Sequence, residues 1–180
     1  MPPLLQPGDS WTYKVRNLLD QSEREFTFAI REIKGEQVVW ANGNLGDLLG
    51  NFTRAGVGGQ WHTFSPSTHH YIFPLRSGAV YNVEFVQEQE GGGRIYDGKV
   101  RLTVGAEEEL ATPAGKLRTV KVTREVRWQQ RGRDYSGVNV WNYWYSPEAK
   151  RWVRGENTNT TDKGKLILHE LWELESFKVR

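Results

Sequence analysis

Three of the four histidines, His62, His69 and His70, fall within nine residues of one another. Imidazole is the commonest metal ligand and the side chain that most readily exchanges a proton near neutral pH, so such a cluster could hold a metal ion or serve acid–base catalysis. In an extended segment, however, His69 and His70 point to opposite faces, so at most one of them can join His62, and the spacing fits no zinc signature. A polar surface loop is the simpler reading, and an enzyme using this histidine loop is the least favoured class of function. His169, in Leu168-His169-Glu170, reads as a hydrogen-bonded strand histidine. No cysteine, nucleophile elbow, HExxH or phosphate-binding glycine loop is present. No catalytic residue, metal or cofactor is therefore expected. Glu107-Glu108-Glu109 reads as a solvated run near a turn. Asn51-Phe52-Thr53 and Asn159-Thr160-Thr161 fit the short glycosylation pattern, which chance also produces.

The second chemistry-bearing stretch is basic and aromatic. Lys116 to Arg154 carries ten Lys and Arg against three acids, interleaved with Trp128, Tyr135, Trp141, Tyr143, Trp144, Tyr145 and Trp152. Cations neutralise phosphates and aromatic faces stack bases, so this mixture could serve single-stranded nucleic acid. Against that, Val120, Val122, Val126 and Trp128 share one parity while Lys121, Arg127, Arg131 and Arg133 share the other, the pattern of a strand with a wet face. A net charge of +2 is also weak for a nucleic-acid domain, and no nucleic-acid partner is expected. Trp141, Tyr143 and Tyr145 lie on one face of the next strand and Trp144 on the other, with Trp152 opening the strand after the Ser146-Pro147 turn. Both faces then need cover, which a second layer and an apolar or amphipathic small molecule could provide. Trp141, Tyr143, Trp144, Tyr145 and Trp152 are the candidate ligand-binding residues.

The elements that position these residues are strands. The chain has 180 residues, 26% charged and 37% hydrophobic, with 22 aromatics (8 Trp, 7 Tyr, 7 Phe), 19 glycines and no cysteine. That length supports one domain with a core large enough to need no staples. No run is apolar enough to span a bilayer, and Met1 to Leu19 has no basic region followed by an apolar stretch. Charge is uneven: residues 1–90 hold 7 basic and 10 acidic groups, net −3, and residues 91–180 hold 17 and 12, net +5.

Alternation of apolar and polar residues in Trp11 to Val15 and Phe26 to Ile30 predicts half-buried antiparallel strands. Further runs at 37–40, 71–75, 79–86, 95–104, 117–128, 138–145, 151–157 and 165–177 bring the expectation to about ten. Gly and Pro signals at 34–36, 91–93, 112–115, 146–147 and 162–164 supply the turns. Residues 42–60, rich in glycine, read as a mobile loop near a barrel mouth with one helical turn at Leu45 to Leu49. The expected fold is all-β: a strongly curved antiparallel sheet forming a partial or closed barrel, with a two-sheet sandwich as the alternative. It is a single domain, 1–180. Similar spacing after Gly8 and Gly78 raises the option of two pseudo-repeats, 1–72 and 73–180.

Residues 111–117 (Ala-Thr-Pro-Ala-Gly-Lys-Leu), Val120-Lys121-Val122, Tyr143 to Glu148 and Trp152-Val153-Arg154 resemble the second half of the TapB-like family of bacterial envelope and secreted β-rich proteins, and Phe73 to Gly78 resembles the opening of that module. The resemblance covers roughly residues 73–177. It implies a β-rich protein of the periplasm or exterior, carries over no catalytic residue, and leaves a cytoplasmic place open because no signal peptide is visible. The function expected from all this is a non-enzymatic binding or carrier module of the cell envelope. The alternative is a protein- or polyanion-interaction module presenting the basic aromatic hairpin.

Overall fold

A computed structural model describes residues 2–180. The strands are β1 (Ser10–Asn17), β2 (Glu23–Lys34), β3 (Gln37–Trp40), β4 (Leu45–Gly46), β5 (Phe52–Val57) and β6 (Gln60–Ser65) in the first half. The second half contributes β7 (Val80–Gln89), β8 (Ile95–Thr112), β9 (Gly115–Gln130), β10 (Ser136–Ser146), β11 (Arg151–Thr161) and β12 (Leu166–Lys178). Each pairs antiparallel with its neighbours in sequence, and β12 pairs with β1, from Ser10 opposite Lys178 to Asn17 opposite Glu170. The sheet thus closes into a twelve-stranded barrel. Closure leaves no unpaired edge and removes the sandwich alternative.

The strand expectations need three corrections. The 42–60 segment holds β4 and β5 and no helical turn, because the Asp47 carboxylate accepts the N–H groups of Leu49 and Asn51 at 2.9 Å each and folds 47–51 into a tight loop. Of the histidine-bearing stretch expected to be a surface loop, β6 takes His62, while His69 and His70 follow it in the β6–β7 connection. Tyr71 to Leu75, expected to be a strand, pairs with none.

That last segment does something else. Between β6 and β7 the chain turns inward, and Ser67, Thr68 and Tyr71 are buried inside the barrel. Its backbone groups are paired with the wall. Thr68 N–H donates to Phe52 O at 2.9 Å, and Phe52 N–H donates to Thr68 Oγ1 at 3.0 Å. Asn51 clasps the Tyr71 backbone, accepting its N–H at 2.7 Å and donating to its carbonyl at 3.1 Å. Arg124 donates to Thr68 O at 2.5 Å and His69 O at 3.1 Å, and Tyr143 Oη donates to His70 O. A buried backbone is tolerated only when its polar groups find such partners. The segment is an internal plug.

The plug divides the barrel. On the side where the chain begins, Trp11, Tyr13, Phe28, Trp40, Phe52 and Trp152 fill the lumen in edge-to-face and tilted contacts. Their centre is Arg151, 2% exposed, whose guanidinium carbon lies 4.0 Å from the Trp152 ring, 4.1 Å from Phe28 and 4.8 Å from Trp40. Outside, a register shift between Val104 and Glu107 lets the tip of the β8–β9 hairpin lie across the outer wall. Glu108 there accepts the Trp144 indole N–H at 2.6 Å, and Ala111 O accepts from Arg154 at 3.0 Å.

Candidate functional site

Beyond the plug the barrel is hollow. A cavity of about 790 Å³ opens at the end formed by the β5–β6, β7–β8, β9–β10 and β11–β12 turns. Its existence follows from where the large side chains lie. Phe85 faces Gly98 across β7–β8, where a Cβ would come within 2.6 Å of the ring, and Trp128 faces Gly137 across β9–β10, where a Cβ would come within 2.5 Å. The two aromatics lie flat against the wall over glycines instead of projecting to the axis. Trp128 is held there by its indole N–H, which donates to Asn159 Oδ1 at 2.8 Å. Phe64, Phe85, Val126, Trp128 and Leu168 supply apolar lining; His62, Gln87, Asn139 and Asn159 supply polar groups.

The deep end is formed by the plug and by Arg124, which is 5% exposed. It lies six residues inside the end of β9 at Gln130, about 20 Å along the strand. Burial lowers its guanidinium to about 10, a direction opposed by Tyr143. His70 packs against the Phe52 and Trp152 rings, with part of its own ring facing the cavity. Burial first, then the charges of Arg124 and Arg151, hold it well below 6.5. His62 is lowered by burial too, partly offset by Glu90. Both imidazoles are thus neutral at pH 7, and His70 Nδ1 meets Thr68 Oγ1 at 2.7 Å.

A pH dependence follows. Unfolding releases His70 to its ordinary value near 6.5, so below that pH the unfolded chain binds the proton that the folded chain refuses. Stability is level above 6.5 and falls with pH between 6.5 and the lower folded-state value. Urea titrations at pH 7.5 and 5.5 should show this loss, and His70→Gln should reduce it. An unchanged slope in the variant would remove His70 as its source.

The structure separates the expected ligand residues. Trp141, Tyr143, Tyr145 and Trp152 point inward and are 5%, 0%, 2% and 4% exposed, packed on the plug through Tyr71 and on one another. None of these four lines the cavity. Trp144 points outward into a smaller groove of about 470 Å³ on the outer wall. Four of the charges there are paired, Lys14 with Glu23 at 2.9 Å and Arg154 with Glu173 at 2.6 Å. On the basic strand face, Arg131 pairs with Asp97 at 2.6 Å and Arg127 with Glu125 at 3.1 Å.

Sequence reasoning missed Arg124 and the plug, and it placed His62 and His70 in a surface loop. Arg124 shares the buried parity of Val122 and Val126, a cation on an apolar face, and that signal could have found it. His62, expected at the surface, is 6% exposed and faces inward, 3.1 Å from Gln87. His169 sits on the outer wall, 2.7 Å from Glu156. Asn51 is buried at 2% as part of the plug clasp, so it is no glycosylation acceptor. Among the described residues no group of His, Asp and Glu could hold a metal ion.

The fold is thus a closed antiparallel barrel with a polar-and-aromatic hollow at one end. Two solved structures share this fold along nearly their whole length. One is a candidate lipoprotein from Parabacteroides distasonis, 16% identical over 98% of this chain and 97% of that one, with a TM-score of 0.60. The other is the hypothetical lipoprotein YmcC from Escherichia coli, 11% identical over 97% of this chain and 87% of that one, with a TM-score of 0.57. No family model and no curated relative matches the chain, and the TapB-like resemblance has no such match behind it.

Proposed function

We propose that the protein is a non-enzymatic binding or carrier module of the bacterial cell envelope that holds an amphipathic small molecule in the hollow half of its barrel. The observation that carries this reading is the cavity of about 790 Å³, within the range that encloses lipid- or cofactor-sized ligands. Its rim supports it: Val57, Trp61, Tyr135, Leu166 and Ile167, all at the open end, are exposed by 36–46%. Apolar side chains gathered around an opening favour entry of an apolar group. The envelope setting rests on the two fold neighbours, both described as lipoproteins, and on the TapB-like resemblance. The binding residues in this reading are those of the cavity, while Trp141, Tyr143, Tyr145 and Trp152 build the floor beneath the plug.

The test is titration with N-phenyl-1-naphthylamine, a neutral apolar probe that brightens when it leaves water. Saturable binding is expected. Leu168→Trp, which fills the cavity from the wall, should weaken it by about tenfold or more, equivalent to about 1.4 kcal/mol. Trp144→Ala, on the outer wall, should leave it unchanged. Absence of saturable binding to the wild type, with no lipid retained in native mass spectrometry, would sink the proposal. Loss of binding in Trp144→Ala with none in Leu168→Trp would move the site to the outer groove.

A further inference from the structure

Within the container reading, on which this inference rests, the charges of the cavity define the ligand more narrowly. Two cationic side chains line it, Arg124 at the deep end and Arg94 near the mouth, and among the described residues none of the lining groups is Asp or Glu. The histidines add no negative charge. Arg124 is the unusual member of this set. It is 5% exposed and has no carboxylate within salt-bridge distance; its partners are two carbonyl oxygens of the plug. Those bonds use Nε and Nη2, and Nη1 makes no hydrogen bond within the protein.

A buried cation answered by carbonyl dipoles and, at 5.9 Å, the Phe85 ring, with no anion, is costly, and proteins ordinarily supply one. Here the plug and the wall hold the guanidinium rigidly by one edge at the bottom of a hollow. Above it toward the opening stand Val126, Trp128, Phe64, Phe85 and Leu168. Guanidinium groups bind carboxylate and phosphate with directed, charge-assisted bonds that strengthen where water is excluded. We propose that the ligand is an anionic amphiphile, entering head first, whose carboxylate or phosphate lies against Arg124 while its apolar tail fills the aromatic-lined shaft toward the mouth.

The neutral Gln87, Asn139 and Asn159 complete the polar side of the shaft without repelling a negative head. The arrangement also selects against cationic amphiphiles, because Arg124 and Arg94 would both face the incoming charge.

The experiment displaces N-phenyl-1-naphthylamine from the wild-type protein at pH 7.5 with three competitors of one chain length: palmitic acid, its methyl ester and hexadecyl phosphate. The acid or the phosphate, or both, should compete at least about tenfold more tightly than the ester. A preference for one anion identifies the headgroup. In Arg124→Gln that preference should vanish while the affinity for the ester stays. In Arg94→Gln, which touches no plug contact, the preference should fall by a smaller factor; this variant guards against loss of the plug in the first. Equal competition by all three ligands in the wild type would overturn the headgroup assignment and leave the container reading standing. No competition by any of them, together with no probe binding, would overturn both.

Discussion

Trp152→Ala is expected to destabilise the protein by about 3–5 kcal/mol, the usual loss for a large aromatic removed from a packed interior. Trp152 is 4% exposed and sits where the filled half of the barrel meets the plug. Its ring centroid is 5.7 Å from Trp141, 5.9 Å from Tyr13 and Phe28, and 6.0 Å from His70 and Tyr71. The Arg151 guanidinium lies 4.0 Å from the same ring. Truncation would open a void among rigid rings that cannot collapse into it, and would strip one face from a buried cation. Trp144→Ala, on the opposite face of its strand, should cost less than half as much. Urea unfolding followed by circular dichroism measures both. A loss below about 1 kcal/mol at Trp152 would mean that the aromatic cluster is not the mechanical floor of the cavity.

Asp9→Ala should be comparably severe for an electrostatic reason. The Asp9 side chain is fully buried, and its carboxylate accepts the backbone N–H groups of Gln6 and Arg180 at 3.0 Å each and the Lys150 ammonium at 3.1 Å. Lys150, in the β10–β11 turn, also donates to Leu4 O at 2.8 Å and Arg180 O at 2.6 Å. One carboxylate therefore joins the two ends of the chain to a turn of the barrel. Removing it leaves a largely buried ammonium and two amides unanswered, at about 3–5 kcal/mol. Lys150→Met should cost less, and Asp9→Ala combined with Lys150→Met should cost less than the sum, since the second change removes the orphaned charge. Additive losses would show that the two groups act independently. Limited proteolysis offers a second readout, because the loss should expose the termini first.

Much of this architecture is legible residue by residue. The alternation in Trp11 to Val15 and Phe26 to Ile30 predicts β1 and β2 and their buried faces, and Trp11 does pair with Phe28. The split of Trp141, Tyr143 and Tyr145 from Trp144 is likewise a matter of parity, and the structure keeps it. The reading of this aromatic-rich strand as a ligand site is a further step, which parity alone does not make. In the structure Tyr143, Tyr145 and Trp152 pack against Tyr71, and Trp141 packs against Tyr143 and Trp152. No pattern announces that the 67–71 segment enters the barrel: 66–70 are polar and proline-bearing, as surface loops are, and Tyr71 to Leu75 read as a strand. Its burial becomes tolerable only because Asn51, Phe52, Arg124 and Tyr143 satisfy its backbone. For the same reason His62 and His70 read as solvated and lie inside.

Period two is a local property, since each side chain's face depends only on its neighbours in the same strand. The sequence alone therefore determined the all-β class, the antiparallel strands with tight turns, and which residues share a face. Closure and the plug depend on pairs far apart in the chain, β1 on β12 and Arg124 on Thr68, and the hollow on cross-strand pairs whose register a single strand does not reveal, Phe85 on Gly98 and Trp128 on Gly137. A cavity is the space left when all those pairs have packed. Only the tertiary structure could decide that the aromatic strand became a floor and that a lone arginine stands at the bottom of the shaft.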